Sequence, residues 1–112
     1  MKVIFHLSSN DTSKQSELLG NVQNLMDDPE VSTDKISVVL NASAVDMVKN
    51  NSQASEYLEE YIENDVEINA CSNSLENREI EDSEILEGVK KASSGVGRVA
   101  ELQEEDFNYI RV

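Results

Sequence analysis

Alternation of strand-like and helix-like segments is the property that most limits how this 112-residue chain can fold. Val3 to Leu7 is a short apolar run closed by Ser8-Ser9-Asn10-Asp11, which is loop chemistry. Thr12 and Gln15 follow at capping-box spacing, and Leu18, Leu19, Val22, Leu25 and Met26 recur at helical intervals. That helix is expected to stop near Asp28-Pro29, because proline disfavours helix in the residue before it. Lys35 to Leu40 is rich in β-branched residues and predicts a second strand. Beyond Asn41-Ala42-Ser43, residues Ala44, Val45 and Val48 predict a short helix broken at Asn50-Asn51-Ser52. Tyr57, Leu58, Tyr61 and Ile62 then share one face of a further helix, with Glu56, Glu59, Glu60 and Glu63 outside.

Val66, Ile68 and Ala70 alternate with Glu67 and Asn69, giving a third strand that ends at Cys71. Ser72 to Asn77 and Asp82 to Leu86 each predict one helical turn, and Val89 to Ala92 a short fourth strand. Ser93-Ser94-Gly95-Val96-Gly97 leads into a last helix through Val99 and Leu102, and Phe107 to Val112 closes the chain as a fifth strand. Strands alternating with helices imply an α/β fold with a mostly parallel five-stranded sheet and helices on both faces. With right-handed crossovers the expected architecture is a flavodoxin-like three-layer sandwich, one domain spanning residues 1–112.

Composition narrows the function classes. Aromatic residues make up only 4% of the chain and Trp is absent, so the core must come from Val, Ile, Leu, Ala and Met. The formal net charge of −14 argues against nucleic acid and anionic membrane as partners, because both attract Lys and Arg. A solvated acidic surface that keeps the protein soluble is the simplest account of that charge, and a basic partner is the alternative. No apolar run approaches the roughly 20 residues of a membrane span. The N-terminal apolar stretch is too short for a signal peptide and reads as a first strand. A single cysteine forbids an intrachain disulfide and favours a reducing compartment, so the expected location is cytoplasmic.

In an open parallel sheet, ligands gather outside the carboxyl ends of the strands. Here those ends are Ser8-Ser9-Asn10, Asn41-Ala42-Ser43, Cys71-Ser72-Asn73 and Ser93-Ser94-Gly95. All are small or polar, and one carries the only thiol. Cys71 has two readings: an inert small hydrophobe at a strand end, or a reactive thiol at the start of a helical turn. In the second, the free N–H groups of Ser72, Asn73 and Ser74 favour the thiolate, Glu76 and Glu79 oppose it, and Arg78 supports it. His6, the only histidine, is placed on the face opposite Phe5 and Leu7, where it reads as a structural or interface residue. The Ser93 to Gly97 turn resembles an anion cradle but matches neither a Walker A motif nor a full GxGxxG, and a tight strand-to-helix turn explains it equally. No His pair, second Cys or EF-hand spacing points to a metal, and no cofactor is expected.

Three stretches together resemble the DsrE/DsrF-like family in its small single-domain branch. They are Lys2 to Leu7, Asn69-Ala70-Cys71-Ser72-Asn73-Ser74-Leu75, and Ser94-Gly95-Val96-Gly97 continuing to Gln103. Ile36 to Asn41 and Phe107 to Ile110 also fit, so the similarity covers nearly the whole chain. The resemblance implies a flavodoxin-like sandwich assembled as a homotrimer or homohexamer. It also implies sulfur-relay chemistry, in which a cysteine accepts sulfur as a persulfide from a donor protein and passes it to an acceptor. Cys71 matches the family's cysteine, with Ser72, Asn73, Gly95 and Gly97 placed to position the hydropersulfide.

Three readings therefore stand. The first is a sulfur carrier or sulfurtransferase-like protein acting through Cys71, expected to react with solvent-borne reagents. The second is a non-catalytic module holding a small anionic or nucleotide-like ligand through Asn10, Asn41, Ser94, Gly95 and Gly97. The third is an assembly subunit whose acidic surface docks a basic partner.

Overall fold

The β-branched runs join into one five-stranded sheet in the computed structural model, which describes residues 1–112. The order along the chain is β1 (Lys2–Leu7), α1 (Thr12–Asp27), β2 (Lys35–Leu40), a 3-10 helix (Ala42–Val48), α2 (Ser55–Glu63) and β3 (Glu67–Cys71). There follow α3 (Ser72–Asn77), a 3-10 turn (Asp82–Glu84), β4 (Lys90–Ala92), α4 (Gly95–Glu104) and β5 (Phe107–Arg111). The strands lie in the order β4-β3-β2-β1-β5 and every neighbouring pair is parallel. This is the α/β sandwich expected from the residue pattern.

From β1 to β4 the chain steps across the sheet in one direction, and its helices pack on one face, here called the front. Val3, Phe5 and Leu7 of β1, Val38 and Leu40 of β2, and Ile68 and Ala70 of β3 meet Leu18 and Val22 of α1, Leu58 and Tyr61 of α2, and Leu75 of α3. The last connection reverses direction, from β4 back across the sheet to β5. A right-handed crossover that reverses direction must pass over the opposite face. Accordingly α4 lies alone on the back, packing Leu102 and Val99 against Ile4, Val39 and Phe107.

The back face is unusually polar for a buried sheet surface. His6, Ser37, Glu67 and Asn69 are all buried. Buried polar groups require partners, and here they have them. The Asn69 amide donates to Ser37 Oγ at 3.0 Å and Val38 O at 3.1 Å, and its Oδ1 accepts from Arg98 Nε at 3.3 Å. Arg98 Nη2 bonds Glu67 Oε1 at 2.7 Å, with Lys90 Nζ 3.6 Å from the same oxygen. This network ties α4 to β3.

Local details differ from the sequence expectation, four of them in informative ways. Asp11, not Thr12, caps α1: its side chain accepts from Ser13 N and Lys14 N, while Gln15 Nε2 turns back to Asn10 O. An aspartate one residue earlier is the better cap because its carboxylate reaches both free N–H groups. Tyr57 is 53% exposed, because α2 buries the stripe of Ala54, Leu58 and Tyr61, which leaves position 57 beyond its edge. Strand β4 starts at Lys90 and not Val89, which packs against the front core instead. All five residues of β3 are buried, including the polar ones, since helices cover both sides of this central strand.

Candidate functional site

The crevice of an open α/β sheet opens where adjacent strands send their following helices to opposite faces. In this protein that place is between β3 and β4, which pair through Cys71 and Ala92. After β3 the chain enters α3 on the front, and after β4 it enters α4 on the back. Cys71 is the last residue of β3 and the N-cap position of α3. The start of α4 faces it from the other side: a Cβ placed on Gly95 would lie 3.5 Å from Cys71 Cβ and 2.9 Å from Asn41 Cβ. Only glycine permits so close an approach.

The thiol is a free cysteine, and residue 71 is 6% exposed. This is a narrower opening than the solvent-facing thiol expected from sequence, because the first turns of α3 and α4 close over the strand end. Burial pushes the Cys71 thiol up. The Ser74 hydroxyl and the backbone N–H groups of Ser74, Gly95 and Asn73 outweigh it, and the thiol is held below its ordinary value. The opposing acidic residues matter little, since Glu76 and Glu79 are exposed. Arg78 is also elsewhere, engaged with Asp46 through Nε and Nη2, both at 2.7 Å.

Ser74 has a defined orientation. Its hydroxyl is the largest influence that lowers the Cys71 pKa, and its Oγ accepts the Ala42 N–H at 2.8 Å. Ala42 achieves this with φ of +52°, a left-handed conformation costing a non-glycine residue about 1–2 kcal/mol. Strain of this kind is retained where the surrounding structure imposes it.

The other sequence candidates divide. Asn41 lies at the site, and its Oδ1 accepts from Ser8 Oγ at 2.7 Å and pairs with His6 Nε2 at 2.9 Å. The Asn73 N–H helps to lower the Cys71 pKa, and Ser72 opens α3. Ser94 caps α4 by accepting Gly97 N at 2.8 Å, and a Cβ on Gly97 would lie 2.7 Å from that same oxygen. Ser94 and Gly97 thus complete the helix start. Asn10 turns away: its N–H bonds Ser43 Oγ at 2.9 Å and its amide donates to Asp46 Oδ2 at 3.1 Å. His6 bonds Asn41 and, through Nδ1, the Tyr109 hydroxyl at 2.6 Å, so both ring nitrogens are occupied away from Cys71. Burial holds its pKa below the ordinary value, against the opposing pull of the Asn41 bond.

Three participants escaped the sequence reading: the Ser74 hydroxyl, Ser8 and Tyr109. Ser8 does sit in a strand-end loop, but no local signal marks Tyr109, which is 103 residues from His6. The largest cleft, about 660 Å³, is lined by Asp46, Lys49, Asn77 and Arg78 among others and excludes Cys71. No group of side chains suited to a metal ion is present. No helix is long and apolar enough to cross a membrane.

The protein is thus a small all-parallel α/β sandwich whose one cysteine lies at the switch point, in the N-cap position of α3. The sequence model of the DsrE/DsrF-like family matches residues 1–112, and the chain belongs to that family. Among solved structures, MTH1491 of Methanobacterium thermoautotrophicum, described as a protein of unknown function, is similar at 37% identity and a TM-score of 0.92. The match covers 99% of this chain and 98% of that one. BT1422 of Bacteroides thetaiotaomicron, a conserved protein of unknown function, shares the fold at 17% identity and a TM-score of 0.77, covering 99% and 94%. No curated protein matches the chain at a significant level.

Proposed function

We propose that this protein is a sulfur carrier, accepting sulfur as a hydropersulfide on Cys71 and handing it to an acceptor thiol. The observation that carries the reading is the place of Cys71, the chain's one thiol, at the end of β3 and the start of α3, with the first residue of α4 so close that a Cβ on Gly95 would lie 3.5 Å from Cys71 Cβ. The thiolate is the nucleophile in sulfur exchange, so a site that lowers the pKa of its thiol is suited to this work. Family membership supports the same chemistry.

In the loading step, the Cys71 thiolate attacks the outer sulfur of a donor persulfide, R–S–SH. The new S–S bond forms on Cys71 as the donor's S–S bond breaks, and the donor leaves as R–S⁻, which takes a proton from water. The outer sulfur now on Cys71 gives its own proton to water and becomes anionic. No external oxidant or reductant is needed. Release repeats the exchange with an acceptor thiolate attacking that outer sulfur. One cysteine per chain suffices, because each transfer borrows its second thiol from the partner. Asn41, Ser72, Asn73, Gly95 and Gly97 frame the place the outer sulfur takes. The setting we assign is the reducing cytoplasm, in a homotrimer or homohexamer that light scattering will reveal.

Incubation with glutathione persulfide followed by intact-mass measurement tests the reading. The wild type should gain one sulfur atom and Cys71→Ser none. A wild type that gains nothing ends it.

A second reading is favoured by one observation, the 6% exposure of Cys71. In it the cysteine is inert and the strand-end loops hold a small anion. A native protein whose Cys71 resists iodoacetamide, yet which is stabilised thermally by small anions, would establish that alternative.

A further inference from the structure

His6 is a buried titratable group, 6% exposed on the back face of β1, that the sulfur exchange does not use. An imidazole in such a place is unfavourable unless both nitrogens are bonded. Tyr109 of β5 meets it from one side, hydroxyl to Nδ1 at 2.6 Å with the rings edge to face. Asn41 Oδ1 meets Nε2 from the other at 2.9 Å. The tyrosine hydroxyl donates to Nδ1, so Nε2 carries the ring proton and donates to Asn41.

Asn41 Oδ1 receives a second donor, the Ser8 hydroxyl, at 2.7 Å. Two donors on one amide oxygen fix the plane of the carboxamide and its sense. The amide nitrogen, which makes no hydrogen bond within the protein, must then face the other way. Asn41 packs directly on Gly95, and Gly95 on Cys71. The Asn41 carboxamide and the Cys71 side chain therefore flank the same glycine, with Asn41 Cγ and Cys71 Cβ each 3.5 Å from where its Cβ would be.

Resting on the sulfur-carrier reading, we infer that Tyr109, His6 and Ser8 hold the Asn41 carboxamide so that its Nδ2–H₂ group donates to the anionic outer sulfur of the Cys71 hydropersulfide. His6 and Tyr109 are positioning residues acting through Asn41. The arrangement selects for a terminal sulfur anion, because an amide turned the other way would set its oxygen against that charge. It also separates two tasks. Ser74, Asn73 and Gly95 serve the sulfur of Cys71, and Asn41 serves the sulfur delivered to it.

The single histidine and single cysteine make the test direct. Nitrogen-15 NMR of the imidazole should show the neutral Nε2–H form near neutral pH. Treatment with methyl methanethiosulfonate, which places S–S–CH₃ on Cys71, should shift the Asn41 side-chain amide signals. In persulfide loading, His6→Leu keeps the bulk and lacks a donor, whereas His6→Gln offers an N–H near the Nε2 position. His6→Leu and Asn41→Ala should each slow loading about tenfold, the loss of one hydrogen bond to an anion. His6→Gln should restore most of the rate, and iodoacetamide alkylation of Cys71 should stay within about twofold throughout, since the thiolate's own donors are untouched. An Nδ1–H tautomer, or equal loading by the Leu and Gln variants, overturns this inference and leaves the carrier reading intact. A wild type that cannot be loaded, with His6 still in the Nε2–H form, overturns the carrier reading and removes the ligand proposed here with it.

Discussion

Ser74 shows how much a single hydroxyl decides at the thiol. Its oxygen accepts the Ala42 N–H, and its hydroxyl does most to offset the burial of Cys71. Ser74→Ala removes that donor while burial remains, and the thiol should move back up. Iodoacetamide alkylation followed against pH will show the inflection displaced to higher pH and the neutral-pH rate reduced several-fold. Gly95 is equally constrained. Alanine there would thrust a methyl to within 2.9 Å of Asn41 Cβ, and overpacking of this kind destabilises by about 1–3 kcal/mol. Urea unfolding of Gly95→Ala should report that loss. These residues also show why a sequence reveals part of a site. Cys71, Asn41 and Gly95 sit at strand ends and helix starts, positions that residue type and spacing announce. Ser8 and Tyr109 join through contacts 33 and 103 residues long, which no local pattern carries. Asn10 has strand-end chemistry too, yet it is drawn away by Ser43 and Asp46.

Helix α4 both covers the back of the sheet and delivers Gly95 to the thiol. Its attachment runs through Arg98, whose guanidinium meets the buried Glu67 carboxylate. Removing one partner of a buried ion pair leaves the other charge uncompensated. Arg98→Ala should therefore cost about 3 kcal/mol in denaturant unfolding. Because α4 would loosen, Cys71 should become less acidic in the same variant, while Glu101→Ala, at an exposed position, should change neither property. The strands themselves were readable from β-branched runs and the helices from spacing, to within a residue or two at their ends. The order of strands was not, since it is set by which crossovers can pack together and not by any segment alone. Nor was the polar back face, whose Glu67 and Asn69 look like solvent-facing positions of an alternating strand until α4 is laid over them.

A net charge of −14 on a chain this small repels itself when folded. Added salt screens that repulsion, so the melting temperature should rise from low to moderate ionic strength. Two buried or paired groups contribute to the pH dependence with the same sign. His6 and Asp46 both titrate lower in the folded protein than in the unfolded chain, the first through burial and the second through its bonds to Arg78. The folded state then binds fewer protons, and stability is present above the ordinary range of each group and lost as pH falls through the folded value. Calorimetry should show one decline below the imidazole range and another below the carboxylate range. His6→Gln should abolish the first alone.

The donors around Cys71 come from the start of α3, which is built as β3 ends, and from the start of α4, which arrives only with the last crossover. One of the donors that lower the Cys71 pKa, the Gly95 N–H, is thus supplied by the final quarter of the chain. A nascent or partly folded molecule would lack that contribution, and the thiol would reach its full acidity only at completion. Loading would then run faster on finished molecules than on unfinished ones.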